Sequence, residues 1–208
     1  FIETDVQVSS DGIPYIFHDE TLTRLLNRDD VFSSLHSNEI DNLKIFDEHS
    51  IPKLETVLRM FPDIKFQIDV KTDEVAMPAL AVIQENNAMD RVCIASFNSK
   101  RLNLVNNNYP DICISMGPYE VAKMLLSSFG LYKKSILGNC LQIPIYEYGI
   151  KLVTKRFVKF IHSKGLKVCV WTINDEKTFK YLIDIGVDGI ITDKPKLLFE
   201  VLDSATNQ

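Results

Sequence analysis

The chain has 208 residues, 46% hydrophobic and 25% charged, with a formal net charge of -5 at pH 7. That is enough for one sizeable core or two small ones, and the composition is that of an ordinary globular protein. The acidic balance and scattered lysines argue against a nucleic-acid binder, no run reaches the length of a membrane span, and no signal peptide is visible.

Strand-like and helix-like runs alternate from the first residue. Residues 2–8 alternate as a strand, and Ser10-Asp11-Gly12 is a turn signal that makes 14–18 a hairpin extension of it. Further apolar or β-branched runs fall at 64–71, 91–97, 112–116, 140–145, 167–173 and 189–192. Between them, residues 54–59, 74–84, 100–105, 121–127, 154–163, 176–183 and 196–202 space their apolar side chains for one buried helical face. Gly165 and Gly186 stand where two of these helices should stop.

Repeated β–α order predicts a parallel sheet with helices packed outside it. Leaving out the hairpin extension, seven strand–helix units are present, one short of a closed barrel. The expected fold is therefore α/β: a TIM (β/α)8 barrel lacking its first β/α unit. No low-complexity linker divides residues 1–208, so one domain is expected, incomplete at its N-terminus. Phe1 opens the chain inside a strand, where loose polar residues are usual. An upstream segment is expected, and with it any membrane anchor.

Cys93, Cys113, Cys140 and Cys169 are far apart, each in an apolar strand-like run. This predicts buried free thiols rather than disulfides or a zinc site. It favours a reducing compartment, and a cytoplasmic location is the expectation.

Two strands carry an unusual polar face. Side chains two apart on a strand share a face, so Glu3, Asp5 and Gln7 point together, as do Gln67, Asp69 and Lys71, opposite Phe66, Ile68 and Val70. A barrel strand is buried on both faces and normally apolar on both. Polar residues near its C-terminal end therefore signal a site, the alternative being an open sheet edge with a wet face. Glu3, Asp5 and Asp69, brought together unpaired, would repel one another and raise their own pKa values. A hard divalent cation resolves that, and oxygen ligands suit Mg²⁺ or Ca²⁺ rather than zinc. Such an ion grips a phosphate oxygen, and Lys71 could hold the same anion. His18, at the end of the 14–18 run, is placed to donate a proton to a leaving oxygen. Asp19 is assigned a local role, orienting His18 or capping the helix that follows. Trp171, at a strand's C-terminal end, could wall a pocket or stack on a cationic head group, with core packing as the alternative. His36 and His49 read as loop residues and His162 as a helix-surface residue.

These motifs, taken in order, resemble the glycerophosphodiester phosphodiesterase family. The resemblance begins with Ile2-Glu3-Thr4-Asp5-Val6-Gln7, Asp11-Gly12-Ile13-Pro14 and Phe17-His18-Asp19-Glu20-Thr21-Leu22-Thr23-Arg24. It continues through Ile51-Pro52-Lys53-Leu54-Glu55, Gln67-Ile68-Asp69-Val70-Lys71 and Ala95-Ser96-Phe97. It closes with Val170-Trp171-Thr172-Ile173-Asn174-Asp175 and the segment from Gly186 to Pro195. Each piece is weak; the ordered set, spanning almost the whole chain, is specific. Leu141-Gln142-Ile143-Pro144 and Ile161-His162-Ser163-Lys164-Gly165 look like members whose relatives include lysophospholipase D enzymes.

The resemblance implies a TIM barrel that hydrolyses glycerophosphodiesters to glycerol 3-phosphate and an alcohol. It implies that Glu3, Asp5 and Asp69 bind Mg²⁺ or Ca²⁺, that His18 is a general acid/base, that Lys71 contacts phosphate and that Trp171 lines the substrate pocket. The family nucleophile is the substrate's own glycerol hydroxyl, acting through a cyclic phosphate. Two departures stand out: the family usually has Glu at Asp69, and its first-strand His-Arg-Gly motif is not in this sequence. The expected partner is a small glycerophosphodiester, not nucleic acid, with membrane contact through an upstream segment. The alternatives are lysophospholipase D-type hydrolysis and a non-catalytic fragment that binds metal or a partner through its unpaired strand edges.

Overall fold

The computed structural model describes residues 1–206. Its backbone groups into two compact units, residues 1–114 and the residues from 115 on.

The N-terminal unit is built on β1 (Ile2–Val8), β2 (Pro14–Ile16), β3 (Phe66–Val70), β4 (Val92–Ala95) and β5 (Cys113–Ile114), in the order β2-β1-β3-β4-β5. The hairpin is as expected: β2 returns antiparallel, pairing Val6 with Ile16 and Val8 with Pro14, and Gly12 supplies the positive φ of its turn. All other pairings in this sheet are parallel.

Parallel strands need crossovers, and α1 (Leu54–Met60), α2 (Asp73–Glu85) and α3 (Ser99–Asn108) lie between them in the chain. Thr72 caps α2 by accepting from Val75 N–H, and Asn98 caps α3 by accepting from Lys100 and Arg101 N–H. The outward face of the sheet (Val6, Val8, Phe66, Ile68, Val70) packs with Val75, Ala79, Leu80 and Ile83 of α2 in one core. Ile68 and Val70 are fully buried, each stabilising the fold by about 1.5–3 kcal/mol.

Between β2 and α1 the chain builds a second, smaller core. Phe32 stacks on Phe17 at 4.8 Å and meets Tyr15 edge-on at 5.9 Å. Leu22, Leu35, Ile40 and Ile51 complete it. This core seats Phe17, and so fixes the start of the segment that carries His18.

The C-terminal unit follows the same logic. It contains α4 (Pro118–Ser128), β6 (Cys140–Ile143), α5 (Lys155–Ser163), β7 (Lys167–Val170), α6 (Glu176–Ile185), β8 (Gly189–Ile190) and α7 (Pro195–Thr206). The sheet is parallel, in the order β8-β7-β6. Leu141, Ile143, Val168 and Val170 meet Phe157, Ile161, Phe179 and Leu182 in its core. Gly186 ends α6 in the left-handed conformation at φ 81°, and Gly165 follows α5 at φ 72°, as their positions predict.

All seven expected helices are present, with ends within four residues of those predicted. Apart from β1, the strands are shorter than the apolar runs that announced them. The run 64–71 yields a ladder only over Phe66–Val70, and 167–173 only over Lys167–Val170. Lys71 and Trp171 each sit one residue beyond the carboxyl end of a parallel strand, and His18 two residues beyond the antiparallel β2. Residues just past the carboxyl ends of parallel strands are where α/β proteins place ligands. Cys93 is buried, and Cys113, Cys140 and Cys169 are partly buried.

Candidate active site

The site starts from register. β1 and β3 pair in parallel with Glu3 beside Gln67 and Asp5 beside Asp69. Because Val6, Ile68 and Val70 face the helices, the acidic side chains share the opposite face, as the alternation predicts. Asp69 and Gln67 are buried and Asp5 is partly buried.

Lys71 reaches back over this pair. Its Nζ lies 2.7 Å from Asp5 Oδ1 and 2.7 Å from Asp69 Oδ2. Burial disfavours the ammonium, but hydrogen bonds to both carboxylates outweigh that and hold the Lys71 pKa above its usual value. Burial also pushes the Asp69 carboxyl up, and the bond from Lys71 only partly offsets it. Asp69 Oδ1 is buried without a hydrogen-bond partner. Such an atom costs free energy unless something binds it. Glu3 is pushed up to about 7, first by lost hydration and then by repulsion from Asp5 and Asp69.

The donor set therefore fits a hard divalent cation. It offers three carboxylates, one with a buried unmatched oxygen and one driven toward neutrality by lost hydration and then by its acidic neighbours. With the Lys71 ammonium between Asp5 and Asp69, the oxygens of all three acids do not close to within 4.8 Å of one another.

His18 is brought to the same place by the hairpin. Phe17 N–H donates to the Asp5 carbonyl at 3.1 Å, and Gln7 Nε2 donates to the His18 carbonyl at 3.3 Å. Its Nδ1 lies 2.6 Å from Asp19 Oδ1, while Arg24 Nε donates to Asp19 Oδ2 at 2.7 Å. The hydrogen bond from Arg24, with help from His18, holds the Asp19 carboxyl below the usual carboxylate range. With Nδ1 directed at Asp19, Nε2 is the nitrogen left for proton transfer. A depression of about 280 Å³ opens here, lined by Gln7, His18, Asp19, Glu20 and Lys71. A larger one of about 480 Å³, between Gln84, Met89 and Tyr109, includes none of these residues.

The N-terminal unit thus gathers Glu3, Asp5, Asp69, Lys71 and His18. Trp171 belongs to the C-terminal unit, where it is the first residue past β7, half-buried, with its N–H donated to the Ile143 carbonyl at 3.3 Å.

Of the local expectations, only that for His49 needs correction. Asp19 takes the first of its two expected roles, orienting His18 while also accepting from Arg24, and the short helix Thr23–Leu26, whose N-cap is Leu22, has no side-chain cap. His36 is the N-cap of the helix Ser37–Ile40. His49 lies in a two-residue strand, His49–Ser50. His162 is on a helix, but its Nε2 is bound to Asp188 at 2.8 Å.

Strand periodicity does not mark Arg101 or Ser96. Arg101 Nη1 donates to the Val70 carbonyl and to Ser96 Oγ, both at 2.8 Å, fixing the peptide between Asp69 and Lys71. The only sequence cue is an arginine in the first turn of α3, an unfavourable place for a cation.

Fold and site together define a parallel α/β protein with an acidic, lysine-bridged site beside a histidine at its strand ends. The sequence pattern of the Glycerophosphoryl diester phosphodiesterase family matches residues 1–197, and the chain belongs to that family. It is 31% identical to Probable glycerophosphodiester phosphodiesterase 2 of Mycobacterium tuberculosis, over 97% of this chain and 79% of that protein. It is 28% identical to a glycerophosphodiester phosphodiesterase of Caldanaerobacter subterraneus subsp. tengcongensis, over 97% of this chain and 85% of the other. Among solved structures it is similar to an Oleispira antarctica phosphodiesterase in complex with the product sn-glycerol-3-phosphate. The TM-score is 0.80 at 22% identity, over 98% of this chain and 85% of that one. That likeness shows the TIM-barrel-like α/β fold.

Proposed function

We propose that the protein hydrolyses glycerophosphodiesters to glycerol 3-phosphate and an alcohol, with a divalent cation, Mg²⁺ or Ca²⁺, held by Glu3, Asp5 and Asp69. The observation that carries this reading is the unmatched buried oxygen of Asp69 beside Asp5, with Glu3 raised toward neutrality. The named relatives support the substrate class, and the product in the Oleispira antarctica structure supports the glycerol 3-phosphate half.

When bound, the cation supplies Lewis-acid polarisation of a phosphoryl oxygen. The chain's own residues do the rest. Lys71 compensates the charge of Asp5 and Asp69 and offers its ammonium to the substrate phosphate. A protonated His18, with Nδ1–H given to Asp19, donates its Nε2 proton to the leaving alkoxide as the P–O bond breaks. The substrate's glycerol hydroxyl is the nucleophile, giving up its proton to solvent water as its oxygen bonds phosphorus to form a cyclic phosphate that water then opens, so no serine or cysteine nucleophile is needed. Trp171 of the C-terminal unit is assigned a substrate-binding role.

The test uses the protein as its gene encodes it, assayed for choline release from glycerophosphocholine with Mg²⁺, with Ca²⁺ and with chelator. Metal-dependent release that Asp5→Ala removes supports the reading. Release indifferent to chelator, or none with either ion, overturns it. Because His-Arg-Gly is absent from the sequence, the 208-residue chain alone should turn over little substrate.

A further inference from the structure

Charge is spread unevenly along this acidic chain. Residues 1–114 carry ten Lys and Arg against nineteen Asp and Glu, whereas residues 115–208 carry thirteen against nine. The excess is concentrated in residues 115–167, with nine Lys and Arg, two Glu and no Asp. The overall charge of -5 conceals this, and the expectation of evenly scattered lysines is corrected to that extent.

The same stretch exposes apolar side chains that the core of its unit does not take up. Beyond α4 the chain enters a loop in which Phe129 is 56% and Leu131 74% exposed, immediately before the exposed Lys133 and Lys134. Past β6, the hairpin of Tyr146–Glu147 and Ile150–Lys151 turns through Tyr148 and Gly149, both at positive φ. Asn, Asp or Gly normally occupies such a turn. A bulky aromatic there is strained, and Tyr148 is 95% exposed, so no packing compensates for it.

The two loops flank the first turn of α5. Arg156 lies 4.7 Å from the Phe129 ring and donates to the Ser128 carbonyl at 3.3 Å. The hairpin ends at Lys151, three residues before the Thr154 cap of the same helix. Among the described residues, Lys133, Lys134, Lys151 and Arg156 have no carboxylate within 4.0 Å, unlike Lys123 and Lys155.

Exposed apolar side chains clustered with unneutralised cations mark an interaction surface. A negatively charged bilayer matches this composition. Its surface potential attracts the basic groups, its head-group layer accommodates tyrosine, and its acyl boundary takes phenylalanine and leucine. A nucleic acid would engage the cations and aromatic rings but has no use for Leu131.

We infer that the C-terminal unit docks on an anionic lipid surface through the loop 129–134 and the Tyr148 hairpin. This contact goes beyond the proposed hydrolysis and does not depend on it, since none of these residues belongs to the catalytic site.

Co-sedimentation with phosphatidylcholine vesicles, with and without phosphatidylglycerol, tests it. The protein should partition onto the phosphatidylglycerol vesicles, more weakly as salt rises. Lys133→Ala with Lys134→Ala should lower partition by about fivefold per lysine. Phe129→Ser with Leu131→Ser should lower it about tenfold or more, with thermal melting and choline release unchanged. No partition onto phosphatidylglycerol vesicles overturns the inference. So does full binding by the Phe129/Leu131 variant together with displacement by a single-stranded oligonucleotide, which would identify a surface that reads charge alone.

Discussion

Asp5 and Asp69 are direct neighbours in the parallel register of β1 and β3, and one oxygen of each lies 2.7 Å from the same ammonium, that of Lys71. Lys71 balances one of the two charges and leaves Asp69 Oδ1 without a partner. Asp5→Ala should therefore weaken Mg²⁺ or Ca²⁺ binding at least about tenfold, measured by isothermal titration. Glu3, with its pKa near 7, adds a pH dependence. Its carboxylate form grows as pH rises through 7, so cation affinity should rise with it, accompanied by proton release. Unchanged affinity in Asp5→Ala would remove Asp5 from the ligand set.

His18 has a different task and should show a different signature. Its ring is 60% exposed and held at Nδ1 by Asp19. His18→Ala should lower kcat by about 10²–10⁴-fold, the span of general acid catalysis, while cation affinity stays as it was. Equal losses in both would assign His18 to the cation site instead.

The sequence disclosed the acidic site because strand alternation is rigid. With period two, Glu3 and Asp5 can only share a face, as can Asp69 and Lys71, and apolar Ile68 fixes which face it is. The helices were legible for a similar reason, each keeping one apolar stripe. Contacts that depend on long-range packing were not. Nothing near Arg101 in sequence announces a bond to the Val70 carbonyl thirty-one residues away. The sequence left Asp19 either orienting His18 or capping a helix; its carboxylate binds His18, and nothing in the sequence announced that Arg24 shares it. The basic surface of residues 115–167 was hidden because the acids of the N-terminal unit cancel it in the total.

Acid should loosen the small core that seats Phe17. Hydrogen bonds from Ser37 hold the Asp11 carboxyl well below the usual carboxylate range, and the bond from Lys53, with that from Tyr15, lowers Asp41. Both groups bind fewer protons folded than unfolded near their ordinary value of 3.8. Their contribution is therefore whole above that value and is lost as pH falls through the folded pKa. Urea midpoints of Asp11→Asn and Asp41→Asn should lie below wild type at neutral pH and converge on it in acid. A gap that widens in acid would reverse the assigned direction.

Arg101 supplies the sharpest contrast between two bonds of one side chain. Its guanidinium is 10% exposed, while its ion-pair partner Asp73 is 68% exposed. An exposed carboxylate contributes about 0–1 kcal/mol to such a pair, so Asp73→Asn should shift stability by less than about 1 kcal/mol. The bonds to the Val70 carbonyl and Ser96 Oγ are different, because Ser96 is buried and Val70 fully so. Arg101→Ala removes two charge-assisted bonds, worth about 1.5–3 kcal/mol each, although Ser96 Oγ still donates to the Val70 carbonyl at 3.2 Å and accepts from Asn98 N–H at 3.3 Å, and it loosens the peptide that joins Val70 to Lys71. Arg101 is thus a positioning residue. Arg101→Ala should lose both stability and cation affinity, and Arg101→Lys should recover part of the stability through one bond but not the forked geometry. Urea unfolding and cation titration on the three variants separate the cases. Destabilisation by Asp73→Asn as large as that of Arg101→Ala would place the effect in the ion pair and remove the positioning role.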